Sequence, residues 1–317
     1  MSLQSDASER TYTRALVVDD HPLFCDALMI TRRRFLAVSA CALGVSAFRT
    51  APIIWHGQGL GAEISLRLHT NEALAQEAIR KTQRILHKIE QNFSLYNPRS
   101  AISRLNQTKF LQMSDLFAHL VSLCDHVHRV TEGYFDPSMQ AEFLAETDGH
   151  NKARWHDIEQ RAYRLKLYRT QSVTFNGIAQ GFASDLVRDA LNGLRMHEVL
   201  VNMGEFSALS GPWDIGIADP RIGVFEHLSL TDHSVATSSP NVTILNGKSH
   251  IQNPRNTAHA CFSTLSVVHK SAAIADGLST GLIFAHDDLI QGLFQQANPP
   301  KLIKGLRANG EPVSWTS

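Results

Sequence analysis

Cysteine is scarce in this chain: four residues among 317, and two of them, Cys25 and Cys41, fall in the opening segment. Cys124 and Cys261 make no CxxC, so the spacing of a zinc site or a dithiol redox centre is missing. Cys124 falls in an apolar helical pattern, as a small core residue does, and a Cys124–Cys261 bridge in an oxidising compartment stays open on sequence alone. A charge excess is also missing. Thirty basic and thirty acidic side chains give a formal net charge of zero, so no global basic surface marks a nucleic-acid partner and none is expected. The sixteen histidines are scattered, with neither HxH nor HExxH spacing, and read as surface residues rather than a metal cluster. There is no internal repeat and no low-complexity stretch. What is present, 43% hydrophobic and 19% charged residues, is globular composition with room for a large core.

The opening segment carries two signals. Arg32, Arg33 and Arg34 precede Phe35-Leu36 and a small, uncharged run from Ala37 to Ala47. A positive n-region followed by an apolar run shorter than the roughly twenty residues that span a bilayer is an export signal. "TRRRFLAV" resembles a twin-arginine signal, and Val45-Ser46-Ala47 offers small residues for cleavage. Val38-Ser39-Ala40-Cys41 loosely resembles a lipoprotein box, behind a very short apolar run. Upstream, "VVDDHPLFCDAL" (17–28) resembles the first strand of a response-regulator receiver, where an acidic pair helps hold Mg²⁺. The phosphoryl-accepting Asp of such a domain is missing, and its place reads "RTAPIIWHGQG". A receiver fusion acting in cytoplasmic signalling therefore lacks its parts. Met29 stands directly before "ITRRRFLAV" and is the expected natural start, with 1–28 upstream sequence or a fusion remnant. The expected division is a receiver-like extension at 1–28, an export signal at 29–50 leading to the periplasm, and one domain at 51–317.

Beyond the signal, Glu63–His69 alternates, with Ile64, Leu66 and Leu68 on one face of a half-buried strand. Asn71–Phe93 reads as a helix whose stripe is Leu74, Ala78, Ile85, Leu86, Ile89 and Phe93. Ser114–Glu132 reads as a second, stopped by Gly133. Short strands follow at "RLKLYR", "SVTFN", "EVLVNMG", "WDIGIA", "EHLSLTD" and "FSTLSVVHK", with helices at Ala179–Leu194 and Ala272–Ala285. Strand runs broken by helices predict an α+β fold with a largely antiparallel sheet and flanking helices.

Four places carry candidate chemistry. "NGIAQGFASD" (176–185) puts glycines in a turn that opens a helix, where backbone can approach a ligand and the helix N-terminus favours an anion; simple close packing explains it equally. In "SAAIADGLST", Ser271 is an N-cap and Asp276 sits inside an apolar helix, where a carboxylate must be solvated, paired or metal-bound. Thr280 follows one turn on, so both oxygens share a face, a hard-oxygen pair suited to Mg²⁺. Glu205 occupies a tight turn in "VNMGEFSALSG", and His250 stands beside a turn in "HIQNP".

In order along the chain, "SLYNPRSAISRLN", "TEGYFDPS", "NGIAQGFASD", "VNMGEFSALSG", "SVATS", "HIQNP" and "AAIADGLSTGL" resemble the FAD:protein FMN transferase (ApbE-like) family, from about residue 55 to the C-terminus. "NGIAQG", "MGE" and the twin-arginine signal look most like a NosX-like branch, associated with nitrous-oxide reductase maturation. The resemblance implies a T-fold-related α+β architecture. It also implies Mg²⁺-dependent transfer of FMN from FAD to a Thr or Ser hydroxyl, with release of AMP. Its metal ligands would be Asp276, Thr280 and the carbonyl of Ala179. Tyr96 would lie by the flavin ring. Asn176, Gly177, Ile178, Gln180 and Gly181 would form the FAD turn, Asp185 and Glu205 would lie near the nucleotide, and Asn202, Met203 and Gly204 would shape its cleft. His250 would be the catalytic base or would orient the attacking hydroxyl. The acceptor would be a membrane-associated respiratory or maturation protein.

The sequence departs from that pattern in three places. Gln180 replaces a common Lys, "SPNVTILNGK" replaces a Gly-rich stretch after "ATS", and Asn253-Pro254-Arg255-Asn256-Thr257 replaces "DPRTG". These departures leave an alternative open: a non-catalytic exported FAD-binding carrier or assembly protein of the same fold.

Overall fold

In a computed structural model of the chain, the described residues are 14–17, 51–139, 154–240, 242, 244–245, 248–255 and 259–316. The export signal, the lipoprotein-like box, Met29, and Asn256 and Thr257 of the altered loop lie outside them.

The first described strand, β1 (Arg14–Val17), precedes the hairpin β2 (Ile53–Gly59) and β3 (Ala62–Leu68). In β3 the expected alternation is met: Ile64, Leu66 and Leu68 are buried. Helix α1 (Glu72–Phe93) begins where the Asn71 side chain accepts the Leu74 N–H, and it buries Ala75, Ala78, Thr82, Leu86, Ile89 and Phe93. A short helix that the periodicity did not reveal, α2 (Ala101–Thr108), is capped by Ser100. Then come β4 (Phe110–Gln112) and α3 (Asp115–Val130), capped by Ser114. The hairpin β5 (Glu159–Arg161) and β6 (Arg164–Lys166) joins β4 in a small antiparallel sheet of order β4-β6-β5. "SVTFN" is not a regular strand. It runs extended, with a single bridge from Ser172 to Met139, because its hydrogen bonds go elsewhere: Val173 exchanges both of its backbone groups with the Asn106 side chain.

Helix α4 (Ala179–Asn192) leads to the central strands β7 (Val199–Asn202) and β8 (Phe206–Leu209), the hairpin β9 (Trp213–Asp219) and β10 (Gly223–Leu230), and β11 (Ser234–Ser238). A two-residue ladder, β12 (Ile244–Leu245) with β13 (Lys248–Ser249), falls inside the altered loop. The chain closes with β14 (Phe262–His269), α5 (Ala272–Leu282), α6 (Asp287–Leu293), β15 (Leu302–Arg307) and β16 (Pro312–Thr316). The main sheet has eight strands in the order β16-β15-β14-β11-β8-β7-β3-β2, and every neighbouring pair is antiparallel. This is the expected α+β architecture.

Both faces of the sheet are covered. Val199 and Val201 point toward α1 and α4, while Leu200 between them packs with Trp213, Ile215 and Ile217 of β9 on the opposite side. β14 is buried at every position, its polar Ser263, Thr264, Ser266 and His269 included. β1 runs parallel to β9 at the edge of the outer layer.

Helix α5 is apolar nearly all round and buried accordingly, with Thr280 its half-buried exception. Its small residues let neighbours approach. A Cβ on Gly181 would meet the Ala272 carbonyl oxygen at 2.2 Å, and one on Gly281 would meet the Phe135 backbone nitrogen at 2.8 Å. α4 and the 134–139 loop can therefore close on α5 only with glycine at these two positions. Cys124 and Cys261 are free thiols, so the bridge left open by the sequence is not formed. Burial, followed by the Asp125 charge, pushes the Cys124 thiol well up, consistent with an inert core residue.

Candidate active site

A pocket opens where six segments meet: the 134–139 loop, the turn into α4, the turn between β7 and β8, the end of β11, the 250–254 loop and the buried helix α5. Asn176, Gly177, Gln180, Glu205, His250, Asp276 and Thr280 all line it. These residues are far apart in sequence, and the fold brings them together.

Asp276 is 4% exposed, and its Oδ2 accepts the Gly181 N–H at 3.0 Å. The close approach of α4 and α5 thus aims a backbone donor at the carboxylate. Thr280, one helical turn on, has its Oγ1 3.3 Å from the Ser238 Oγ, which in turn lies 2.9 Å from the Ser279 Oγ. A Cβ on Gly177 would fall 2.9 Å from Thr280 Oγ1, so the bare backbone of the turn forms a cradle beside the hydroxyl. The donors here are the Asp276 carboxylate and the hydroxyls of Thr280 and Ser238. Among the described residues no group of three His, Cys, Asp or Glu side chains gathers to hold a metal. Such an all-oxygen set suits a hard cation that keeps part of its shell for water or phosphate, and so fits Mg²⁺ rather than a thiophilic metal. Ala179 opens α4 with its side chain buried, and it is not a pocket-lining residue.

Glu205 is 4% exposed, and its Oε2 accepts the Thr237 N–H at 3.1 Å. Gly204, at φ +98°, adopts a left-handed backbone that a side chain would strain, and a Cβ there would meet the Gln180 amide at 2.7 Å. Gln180 is thus held between the Gly204 turn and the pocket. Behind the wall, the Ser239 hydroxyl meets Thr264, which donates to Asp219 Oδ2 at 2.8 Å. Burial alone would raise the Asp219 pKa. Hydrogen bonds from Ser263, the Arg221 N–H and Thr264, with the Arg221 charge, outweigh burial and hold this carboxyl below its ordinary value.

Several residues singled out in the sequence lie elsewhere. Asp185 does not line the pocket. It caps α5: its Oδ1 accepts the Ala272 N–H at 2.8 Å, its Oδ2 accepts the Ala273 N–H at 3.0 Å and the Ser271 hydroxyl at 2.6 Å, and Arg188 pairs with it at 3.0 Å. The oxygens of Asp185 serve orphan donors at a helix start. Met203 and Ile178 are core residues, at 1% and 0% exposure. Asn202 accepts the Gly204 N–H and so shapes the turn, and Gly181 serves the α4–α5 contact. Tyr96 is 50% exposed in the connection between α1 and α2, outside the pocket lining.

The pocket also contains residues not singled out: Tyr134, Phe135, Asp136, Thr174, Ser238 and Gln252 among them. Most lie in stretches already conspicuous in sequence, "TEGYFDPS", "SVATS" and "HIQNP". Asp136 looks catalytic by type. Its Oδ1 accepts the Ser138 N–H and hydroxyl and its Oδ2 accepts the Trp155 N–H, so it organises the loop.

The ApbE family model matches residues 60–302. An FAD:protein FMN transferase of Chlamydia trachomatis is 29% identical, the match covering 71% of this chain and 82% of the relative. One of Haemophilus influenzae is 25% identical, covering 68% and 75%. Among solved structures, the flavin transferase ApbE from Vibrio cholerae superposes with a TM-score of 0.72 at 19% identity, covering 84% of this chain and 97% of that one, a likeness of fold.

Proposed function

The chain belongs to the ApbE family and is an FAD:protein FMN transferase, and from that premise we propose that it moves FMN from FAD to a Thr or Ser hydroxyl of an exported acceptor with Mg²⁺ and release of AMP. The observation that carries the reading is the convergence of Asp276, Thr280, Gln180, Glu205 and His250 on one pocket. Asp276, Thr280 and the Ala179 carbonyl are the proposed Mg²⁺ ligands. Bound there, the ion supplies charge withdrawal from the FAD pyrophosphate and steadies the AMP leaving group.

The remaining work falls to the protein. The glycine turn at 176–181 lets backbone approach the donor, and the N-terminus of α4 favours its phosphates. Gln180 offers an amide where a positive charge is common in the family, orienting phosphate without neutralising it. His250, on the rim, accepts the proton of the attacking hydroxyl or holds that hydroxyl in line. The new phosphoester bond to the acceptor oxygen forms as the bond to AMP breaks. Tyr96, exposed near the start of α2, is proposed to meet the flavin ring once FAD is bound. A periplasmic, membrane-associated acceptor of the respiratory or maturation type, as in the NosX-like branch, suits the twin-arginine-like signal.

The test is incubation of the protein with FAD, Mg²⁺ and a flavin-acceptor domain, followed by in-gel fluorescence. A fluorescent acceptor band that disappears with EDTA is expected. Tight FAD binding without a labelled acceptor would instead identify a carrier.

A further inference from the structure

The small sheet β4-β6-β5 has one buried and one exposed face. Leu111 and Leu165 point into the core. Register puts Phe110 opposite Lys166 and Lys166 opposite Glu159, then Gln112 opposite Arg164 and Arg164 opposite Arg161. Directly opposed residues share a face, so the outer surface is Phe110, Lys166, Glu159, Gln112, Arg164 and Arg161. Tyr163 in the turn and Tyr168 beyond β6 stand at its margins. Phe110, Tyr163 and Tyr168 are 49%, 47% and 58% exposed. Glu159 pairs with Arg161 at 3.2 Å and Lys166 at 3.6 Å, and Asp115 hydrogen-bonds Tyr163. Arg164 and Arg169 are exposed and make no ion pair among the described residues.

We propose that this face binds the anionic headgroups of a phospholipid bilayer. It offers Arg161, Arg164 and Lys166 against Glu159 on a hydrogen-bonded sheet, edged by the rings of Tyr163 and Tyr168, aromatics of the kind that settle at headgroup depth. Among the described residues no helix is long and apolar enough to cross a membrane. The same chain segment runs on to Ser172, which bridges Met139, and to Thr174; both Met139 and Thr174 line the pocket. Docking by this face therefore holds the pocket rim close to the bilayer surface. The inference is independent of the transfer chemistry.

The experiment is sedimentation of the full chain with vesicles of phosphatidylcholine alone or mixed with phosphatidylglycerol, without FAD, at low and high salt. Each cation near an anionic surface is worth about fivefold in affinity. Arg164→Glu with Lys166→Glu should therefore lower binding to the anionic vesicles more than tenfold, and salt should abolish the difference. Phe110→Ser with Tyr168→Ser should lower it less. Arg80→Glu with Lys88→Glu, on the exposed side of α1, should leave it within twofold. The opening segment is common to every variant, so only the difference between variants reads this face. Unchanged binding in the Arg164/Lys166 variant overturns the proposal. So does equal preference for neutral vesicles. Loss of flavin transfer to a soluble acceptor in lipid-free solution would assign the face to a protein instead.

Discussion

The pocket has two unlike sides. One is the α4–α5 pair, where Asp185 caps α5, Gly181 admits the Ala272 carbonyl, and Asp276 accepts the Gly181 N–H. Each contact there constrains the next, and every residue from Ala272 to Ser279 is buried. The other side is the rim from Ser238 through His250 to Pro254, a loop-rich stretch with one two-residue ladder. The Mg²⁺-type oxygens belong to the first side and the imidazole to the second. Of the three departures read from the sequence, two fall in the rim segment and one, Gln180, on α4, while Asp276 and Thr280 are kept. A site can vary where its residues are carried by loops, but not where one carboxylate also ties two helices together.

Substitutions on the two sides should separate these roles. The largest effect is expected at Asp276. Asp276→Ala should cut FMN transfer by about a thousandfold, in the range of a lost charge-stabilising group at phosphoryl transfer, and in-gel fluorescence reads it directly. Retained turnover at ordinary Mg²⁺ would remove the metal assignment. Next is Gly181→Ala, which forces a Cβ against a backbone carbonyl and should cost about 3 kcal/mol of stability by denaturant melt, the upper range for overpacking. On the rim, His250→Ala should lower transfer by about a hundredfold, as for loss of a general base, while costing about 1 kcal/mol of stability, since the ring is buried. A melt as poor as that of Gly181→Ala would erase the distinction between the sides.

Smaller effects probe the cap. Asp185→Ala should cost about 1–2 kcal/mol, the value of an N-cap, with FAD affinity following stability rather than collapsing; a selective loss of FAD binding would return Asp185 to the nucleotide. The smallest is a pH effect at His269. Burial lowers its pKa, against opposing hydrogen bonds involving Asn298 and Ser271. Its folded value is therefore below the unfolded one, near 6.5. Stability from this group is complete above about pH 6.5 and declines as pH falls through the depressed value, because the unfolded chain takes up the proton first. His269→Gln should flatten thermal stability between about pH 7 and 5.

Much of this was legible in the residues. The alternation at Ile64, Leu66 and Leu68, the stripe of α1, and the cap at Ser271 are local patterns of period and hydrogen bonding, and the fold repeats them. Asp276 and Thr280 were legible as a pair because four-residue spacing on a helix is itself geometry. Helix α2 was missed because one face of eight residues is too short a period to register. "SVTFN" was misread as a strand because its apolar residues alternate, whereas Asn106 takes its backbone bonds.

Sequence order and residue type were enough to name the family, the antiparallel α+β class and the carboxylate–hydroxyl pair. They could not say that Asp185 spends its oxygens on the start of α5, that Met203 is core, or that Tyr134 and Ser238 line the pocket. Those assignments depend on which groups compete for the same acceptor across 86 or more residues of chain, as between Asp185 and Ser271. A carboxylate's role follows from the donors that reach it first, and only packing brings the donors there.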